Sequence, residues 1–538
     1  MSRVTRRRFV QTLTAGAACV SSGALEASLF GQSKSSNGPI RVYVDSRRTI
    51  APVERNVFGS FLEHLGRAIY DGIYEPGSKL SDSNGFRKDV LEEVRHLGVP
   101  IIRYPGGNFV SGYNWLDGVG PKEKRPVVLD KAWNSLNSNQ FGTNEYMTWC
   151  KAAGALPLMG MNFGTGTAEE AAALVEYCNV EKGTKWSELR REHGYAEPHK
   201  VEYWCLGNEM DGPWQIGHMS AVEYGMKAVD AARQMRVLDP NLKLIACGSS
   251  GPAMPTYLEW DREVLEQCYS EVDAISLHRY FGNSHETGGD SSKYLALNLM
   301  MDRQIEEVAA VCDIVGARQR SRKKLWLSFD EWNVWYRENR GDAVNGHRQS
   351  APHLLEEVYN LEDALLVGGL VNSLMRHADR VKLACLAQLV NVIAPIMTNE
   401  TGLYRQTIYY PYSWGLEFGR GSALELLVDS STYDVNGMGA VAHLDAAGCF
   451  DSSSGKSSLF LLNRDLNKAH EVEIVWEDTA PARAVTSWVI TGDDLKASNS
   501  FAAPNRVAPQ AFAKPAVANG KTKVELPPRS YSVIQWSA

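Results

Sequence analysis

From about residue 57 to residue 390, short apolar runs alternate with longer segments of helical period. The runs are Val57–Glu63, Pro100–Tyr104, Leu156–Phe163, Val201–Glu209, Leu244–Ser249, Val272–Tyr280, Leu325–Glu331 and Lys382–Val390. Between them, Lys88–His96, Ala168–Asn179, Ala221–Val237, Lys293–Val315 and Leu361–His377 place apolar residues at helical spacing. Ser220 with Glu223 three residues later is a capping-box start for the third of these. Near-continuous apolar strands alternating with helices predict an α/β fold with a parallel sheet buried on both faces. The count of strands predicts that it closes as a (β/α)8 TIM barrel over 57–420.

From about 421 the texture changes. Short alternating runs follow at Ser458–Leu462, Val472–Trp476, Ala484–Ile490, Val524–Leu526 and Ser530–Trp536, separated by Asn-, Gly- and Pro-rich turns. This predicts a C-terminal all-β sandwich, jelly-roll-like, over 421–538. The strand-like Ile40–Val44, within 40–56, is expected to join that sandwich. At the N-terminus, Arg6–Arg7–Arg8–Phe9 precedes a mildly apolar stretch from Leu13 to Leu25. That pattern predicts a Tat-type signal over 1–27, a flexible spacer over 28–39, and export to the periplasm or beyond. The apolar stretch is too short and interrupted to span a bilayer.

Composition narrows the class. A 538-residue chain with 44% hydrophobic and 22% charged residues is a soluble globular protein. With net charge -7 and no dense basic patch past the first ten residues, nucleic acid is not an expected partner. The 9 cysteines are scattered with no CxxC pair, and the 12 histidines include no HExxH. No metal and no cofactor are therefore predicted. Gly164–Thr165–Gly166 is a lone GxG, not a dinucleotide fingerprint.

Chemistry concentrates at two strand ends. Glu209 closes Val201–Glu209 and Glu331 closes Leu325–Glu331, 122 residues apart. At roughly 30–40 residues per βα unit, that is about three units, which fits strands four and seven. Side chains at the C-terminal ends of barrel strands face the bowl formed by the loops. Two carboxylates facing one another there are what glycosidic cleavage needs: one protonates the leaving oxygen, and the other handles the developing cation. Asn208 precedes Glu209, and Asp211, Trp214 and Gln215 follow it. Trp332, Trp335 and Tyr336 follow Glu331. His278 and Tyr280 end strand six, where Tyr280 can hydrogen-bond a carboxylate and His278 can influence the acid. A non-catalytic carbohydrate-binding protein, or a hydrolase of other specificity such as an endo-glucanase or β-xylosidase, remains open at this level.

Six ordered motifs carry a more specific resemblance. They are Phe58–Arg67, Arg103–Phe109, Gly207–Gln215, Ser276–Tyr280, Asp330–Tyr336 and Ala387–Pro395. Together the chain from about 40 to 538 resembles the α-L-arabinofuranosidases of glycoside hydrolase family 51. The resemblance implies a retaining enzyme with Glu209 as acid/base and Glu331 as nucleophile. It implies that Glu63, Asn108, Asn208 and Gln388 contact sugar hydroxyls, and that Arg103 and Tyr280 are partners of Glu331. It also implies a homo-oligomer acting on arabinose-containing oligo- or polysaccharides. Many members are intracellular, and the expected export signal departs from that pattern.

Overall fold

The computed structural model describes residues 39–337 and 348–538; the expected leader lies outside them. Eight parallel strands form a closed barrel: β1 (Gly59–Phe61), β2 (Ile101–Tyr104), β3 (Leu156–Gly160), β4 (Tyr203–Leu206), β5 (Lys243–Ala246), β6 (Ala274–Phe281), β7 (Trp326–Val334) and β8 (Val381–Leu386). β8 pairs with β1 through Cys385↔Gly59 and Leu386↔Ser60, which closes the ring. Gly59 sits at that seam because a Cβ there would lie 2.7 Å from Ile101 Cγ2 and 2.8 Å from the Ala384 carbonyl. All four residues of β2 are buried, and every residue of β7 after Trp326 is buried. This is why the strands read as unbroken apolar runs, not as alternation.

Every predicted barrel strand is present, but two ends differ where it matters. β4 stops at Leu206, so Glu209 lies in the turn beyond it, with φ of 45°. A left-handed conformation at a non-glycine residue costs free energy and persists only when the surroundings impose it. β7 instead runs on to Val334, carrying Glu331 inside the strand. Its pairing with β6 slips by one residue, from Ser276↔Ser328 to His278↔Glu331. The extra residue breaks the two-residue alternation of side chains. Asp330 and Glu331, although adjacent, can therefore both reach Arg103.

The expected long helix at Lys293–Val315 is two helices, Ser291–Tyr294 and Asn298–Arg318. Ala221–Leu238 begins as expected: Ser220 accepts from the Glu223 amide, and Glu223 accepts from the Ser220 amide. Among the described residues, no helix is long and apolar enough to cross a membrane.

The C-terminal part is a strand-rich sandwich. One sheet runs Thr49–Pro52, Ser422–Leu424, Leu444–Asp451, Lys456–Asn463, Ser530–Ser537, Arg483–Ile490, Gln510–Ala511. The other runs Leu427–Asp429, Ile40–Val44, His470–Trp476, Lys521–Leu526, Val517–Ala518. Ile40–Val44 pairs parallel to His470–Trp476, from Ile40↔Val472 to Val44↔Trp476. Alternate positions of these strands, such as Val472, Ile474 and Trp476, meet Leu459, Leu461 and Trp536 in a separate apolar core. The helix Leu361–Arg376 is buried along nearly its whole length, between barrel and sandwich. Gly368 lets it close on Tyr531, whose ring would lie 2.6 Å from a Cβ at that position.

Candidate active site

The C-terminal ends of β2, β4, β6 and β7 converge on one buried cluster. Arg103, at the third position of β2, is 1% exposed. Its Nη1 donates to Glu331 Oε1 at 2.6 Å and its Nη2 to Asn208 Oδ1 at 2.8 Å. Its Nε lies 3.4 Å from Asp330 Oδ2, and its guanidinium sits over the Phe61 ring. Tyr280 donates its hydroxyl to the other Glu331 oxygen, Oε2, at 2.9 Å. One arginine fork thus fixes the two strand ends relative to each other, through a carboxylate on β7 and an amide after β4.

His278 joins the carboxylates. Its Nδ1 is 3.0 Å from Glu209 Oε1 and 3.6 Å from Glu331 Oε2. Its Nε2 is 3.3 Å from Asp330 Oδ1. Burial disfavours charge on this ring. The negative charge of Glu331, with Asp330 and Glu209, outweighs burial and pushes its pKa up to about 10. Asp330 is buried, which alone would raise its pKa, but Arg103 and His278 hold it below its ordinary value. On the solvent side, Trp214, 52% exposed, donates Nε1 to Glu209 Oε2 at 2.8 Å.

A second group adjoins this cluster. The Glu63 carboxylate accepts from the Phe109 amide and from Trp133 Nε1, each at 2.9 Å on Oε1. Gln388 accepts from the Glu63 amide at 3.0 Å and reaches Glu63 Oε2 with Nε2 at 3.4 Å. Burial is the dominant influence on Glu63 and pushes its pKa up to about 8. Gly107 is required here: a Cβ would lie 2.3 Å from Glu63 Oε2. Asn108, one residue on, accepts from Asn208 Nδ2 at 3.4 Å and so links the two groups. Trp335 packs edge-on against Tyr280, ring centroids 5.4 Å apart, and its Nε1 has no protein partner.

All ten residues predicted from the sequence are thus brought to one end of the barrel. Glu209, Glu331, Arg103, Asn208, His278 and Tyr280 form one connected cluster. Glu63, Asn108 and Gln388 form the adjoining wall, and Trp335 flanks Tyr280. Two participants were missed. Asp330 was legible in principle, because a carboxylate inside an otherwise apolar strand must have a buried partner. Trp133 sits between the short hairpin strands Val128–Asp130 and Ser135–Asn137, and nothing local marks it.

Glu209, His278 and Glu331 present ligand atoms within 4.8 Å of one another. Arg103, 2.6 Å from Glu331, already supplies a cation there and opposes a metal ion. What the arrangement can do is proton transfer and nucleophilic attack by two carboxylates across a narrow gap.

Comparison with known proteins agrees. Residues 93–294 match the family described as alpha-L-arabinofuranosidase 1 domain, and 330–530 match the alpha-L-arabinofuranosidase C-terminal domain. An intracellular exo-alpha-(1->5)-L-arabinofuranosidase 1 of Bacillus subtilis is 46% identical over 496 residues, covering 92% of this chain and 98% of its own. An exo-alpha-(1->6)-L-arabinofuranosidase of Bifidobacterium longum is 44% identical over 504 residues, 92% of this chain and 96% of its own. The solved family 51 alpha-L-arabinofuranosidase AbfB from Bifidobacterium longum superposes with TM-score 0.89 at 38% identity, covering 93% of this chain and all of that one. The arabinose complex of the Thermotoga maritima enzyme gives TM-score 0.83 at 36% identity, with 93% and 100% coverage.

One expectation is overturned. Four relatives at 45–47% identity, that of Bacillus subtilis among them, are named intracellular, against the predicted Tat export. The twin arginines and the Ala- and Gly-rich stretch after them are a pattern of charge and composition, and such a pattern does not fix a compartment. With the barrel, the paired carboxylates and relatives matched along nearly their whole length, the chain belongs to the α-L-arabinofuranosidases of glycoside hydrolase family 51.

Proposed function

We propose that the enzyme is a retaining, exo-acting α-L-arabinofuranosidase in which Glu331 is the nucleophile and Glu209 the acid/base. The observation that carries this reading is the gap between the two carboxylates. A Glu209 oxygen and a Glu331 oxygen lie within 4.8 Å. Retaining enzymes hold these groups about 5–5.5 Å apart, whereas inverting ones leave about 6.5–9.5 Å for a water.

In the first step a Glu331 oxygen attacks the anomeric carbon, the glycosidic C–O bond breaks, and Glu209 gives its proton to the departing oxygen. In the second step Glu209 takes a proton from water. The water oxygen bonds to the anomeric carbon as the bond to Glu331 breaks, and the configuration is retained. Arg103 and Tyr280 fix both oxygens of Glu331. With Arg103 and His278 charged, two cations face the carboxylates of Glu209, Glu331 and Asp330. A proton on Glu209 brings that set to neutrality, and glycosylation of Glu331 removes one negative charge. That change favours Glu209 giving up its proton in time for the second step. Glu63, Asn108, Asn208 and Gln388 form the wall that binds sugar hydroxyls. A protonated Glu63 both donates and accepts there.

The relatives' names point to terminal α-(1→5)- and α-(1→6)-linked arabinofuranosyl groups of arabinose-containing oligo- and polysaccharides as substrates. They do not favour a glucanase, a xylosidase or a binding-only role. The same reading divides the chain from residue 40 into a catalytic barrel over 57–420 and a sandwich over 421–538 joined by 40–56, and takes the enzyme as a homo-oligomer without a nucleic-acid partner. Light scattering checks the oligomer. The test of the site is hydrolysis of p-nitrophenyl α-L-arabinofuranoside beside the β-xyloside and β-glucoside. Azide should rescue Glu209→Ala with a retained-configuration azide product. Rescue with retention in Glu331→Ala instead would reverse the assignment.

A further inference from the structure

A second convergence of ligand-type side chains lies in the sandwich, built wholly from residues that the barrel chemistry does not use. His443 immediately precedes the strand Leu444–Asp451, Asp465 lies in the turn after Lys456–Asn463, and His470 opens His470–Trp476. His470 Nε2 is 3.0 Å from Asp465 Oδ2, and His443 Nε2 is 3.6 Å from the same oxygen. All three ligand atoms lie within 4.8 Å of one another. At 3.6 Å, His443 Nε2 is too far from Asp465 for a hydrogen bond. Its Nε2 thus faces Asp465 without a hydrogen bond to it.

Metal geometry accounts for it. Tetrahedral zinc with Zn–N and Zn–O bonds of about 2.0–2.2 Å separates neighbouring ligand atoms by roughly 3.3 Å, between the two spacings seen here. The far sides of His443 and Asp465 are already held. His443 Nδ1 is 3.0 Å from Ser431 Oγ, and Tyr433 stacks on the His443 ring at 5.0 Å. Asp465 Oδ1 accepts the Asn467 and Lys468 amides, each at 3.0 Å, which turns Oδ2 toward the histidines. Outer partners of this kind fix the ring orientation of metal-binding histidine and the aim of a metal-binding carboxylate. The side chains of His443, Asp465 and His470 are 17%, 16% and 9% exposed, so none of the three is fully closed off from solvent.

We propose that His443, Asp465 and His470 form a zinc-binding site that clamps the two sheets of the sandwich together. Two imidazoles and a single carboxylate suit a nitrogen-preferring transition metal over calcium or magnesium. The clamp would be structural. His443 adjoins a strand of the seven-stranded sheet, His470 opens a strand of the five-stranded one, and Asp465 lies in the connection between the two sheets. Tyr433 also donates to the Ser292 carbonyl at 2.9 Å, which ties the same corner to the short helix Ser291–Tyr294.

The test is equilibrium dialysis of the full-length enzyme against Zn²⁺, with metal quantified per chain. The cobalt-substituted enzyme is examined for the strong visible absorption of a tetrahedral site. Wild type and Glu331→Gln should each hold one zinc at this site, because the active-site carboxylate is not a ligand. His443→Ala and Asp465→Asn should weaken binding about tenfold or more. His470→Gln keeps a polar side chain beside Asp465 should His470→Ala fail to fold, and it should likewise abolish the zinc-dependent rise in Tm expected of wild type. Unchanged zinc affinity in His470→Gln, zinc lost in Glu331→Gln but kept in the sandwich variants, or no zinc bound by wild type would each overturn the proposal.

Discussion

Two buried charge clusters in this molecule are built to opposite standards. At the seam between barrel and sandwich, Asp445 accepts from Asn298 at 2.9 Å, Asn372 at 2.8 Å, Arg376 at 2.8 Å and Arg464 at 2.6 Å. Arg464 spends its remaining donors on the carbonyls of Leu295 and Ala442 and on Asn298. No buried side-chain polar atom of these five residues lacks a partner. At the barrel mouth the charges are as deeply buried, yet Arg103 Nε, His278 Nε2 and Asp330 Oδ1 make no hydrogen bond. They sit at ion-pair distance, out of alignment. A closed network is a fastener. A network left partly unsatisfied holds charge where a transition state can use it, and the rest of the fold sustains it.

The sharpest way to break this comparison is to neutralise one carboxylate in each cluster. Glu331→Gln should lower kcat by about 10⁴-fold or more, as removal of a nucleophile does, with a Tm that does not fall. Asp445→Ala should do the reverse. Leaving the buried Arg464 without its carboxylate costs about 3–5 kcal/mol, while kcat per folded molecule stays near wild type. Calorimetry and turnover on the same preparations decide it. If Glu331→Gln lost as much stability as Asp445→Ala, the two clusters would not differ in kind.

The sequence made one of these clusters legible and hid the other. Glu209 and Glu331 each follow a run of large apolar residues, and an abrupt polar residue at such a place has few explanations in a barrel. The barrel strands were visible for the same reason, being buried on both faces. What the pattern could not show was the slip between β6 and β7, which depends on pairing across strands and which brings Asp330 to Arg103. Asp445, by contrast, lies in Leu444–Ala446–Ala447–Gly448 surroundings too small and bland to read as a strand, and its partners are remote in sequence. The helices Thr143–Ala153 and Tyr409–Phe418 escaped as well. The first is buried on nearly every side, so it shows no polar stripe; the second carries Pro411 and Gly415 among aromatics.

A gentler probe is pH. Glu63, raised to about 8 by burial, carries a proton in the folded chain that the unfolded chain loses above its ordinary 4.5. His278, raised to about 10 against burial chiefly by Glu331, likewise holds a proton that the unfolded chain loses above 6.5. Both contributions to stability are fully present below the unfolded values and disappear as pH rises through the folded ones. Stability tied to the mouth should therefore decline between about pH 5 and pH 10. In Glu63→Gln, whose side chain stays neutral, the Tm should fall less between pH 5.5 and 8.5 than in wild type. Equal slopes in the two proteins would remove Glu63 from the account. The Asp445 cluster behaves otherwise. Burial opposes its charge, but Arg376 and Arg464 keep the carboxyl far below its ordinary value, so it stays ionised across this range.

The smallest expected effect is at the rim. Trp214 is half exposed, and its only described hydrogen bond runs from Nε1 to Glu209 Oε2. Trp214→Phe keeps an aromatic face and deletes that donor, a change of about 1 kcal/mol or roughly fivefold in rate. The sign depends on the step. Losing a donor to Glu209 leaves acid catalysis intact, so substrates with good leaving groups, limited by the second step, should slow. Those with poor leaving groups, which need the proton of Glu209, should change little or gain. Comparing kcat for aryl and alkyl arabinofuranosides separates the two cases. A uniform fall across both would mean that Trp214 acts on sugar binding and not on Glu209. The open cluster would then end at His278 and not extend to the surface.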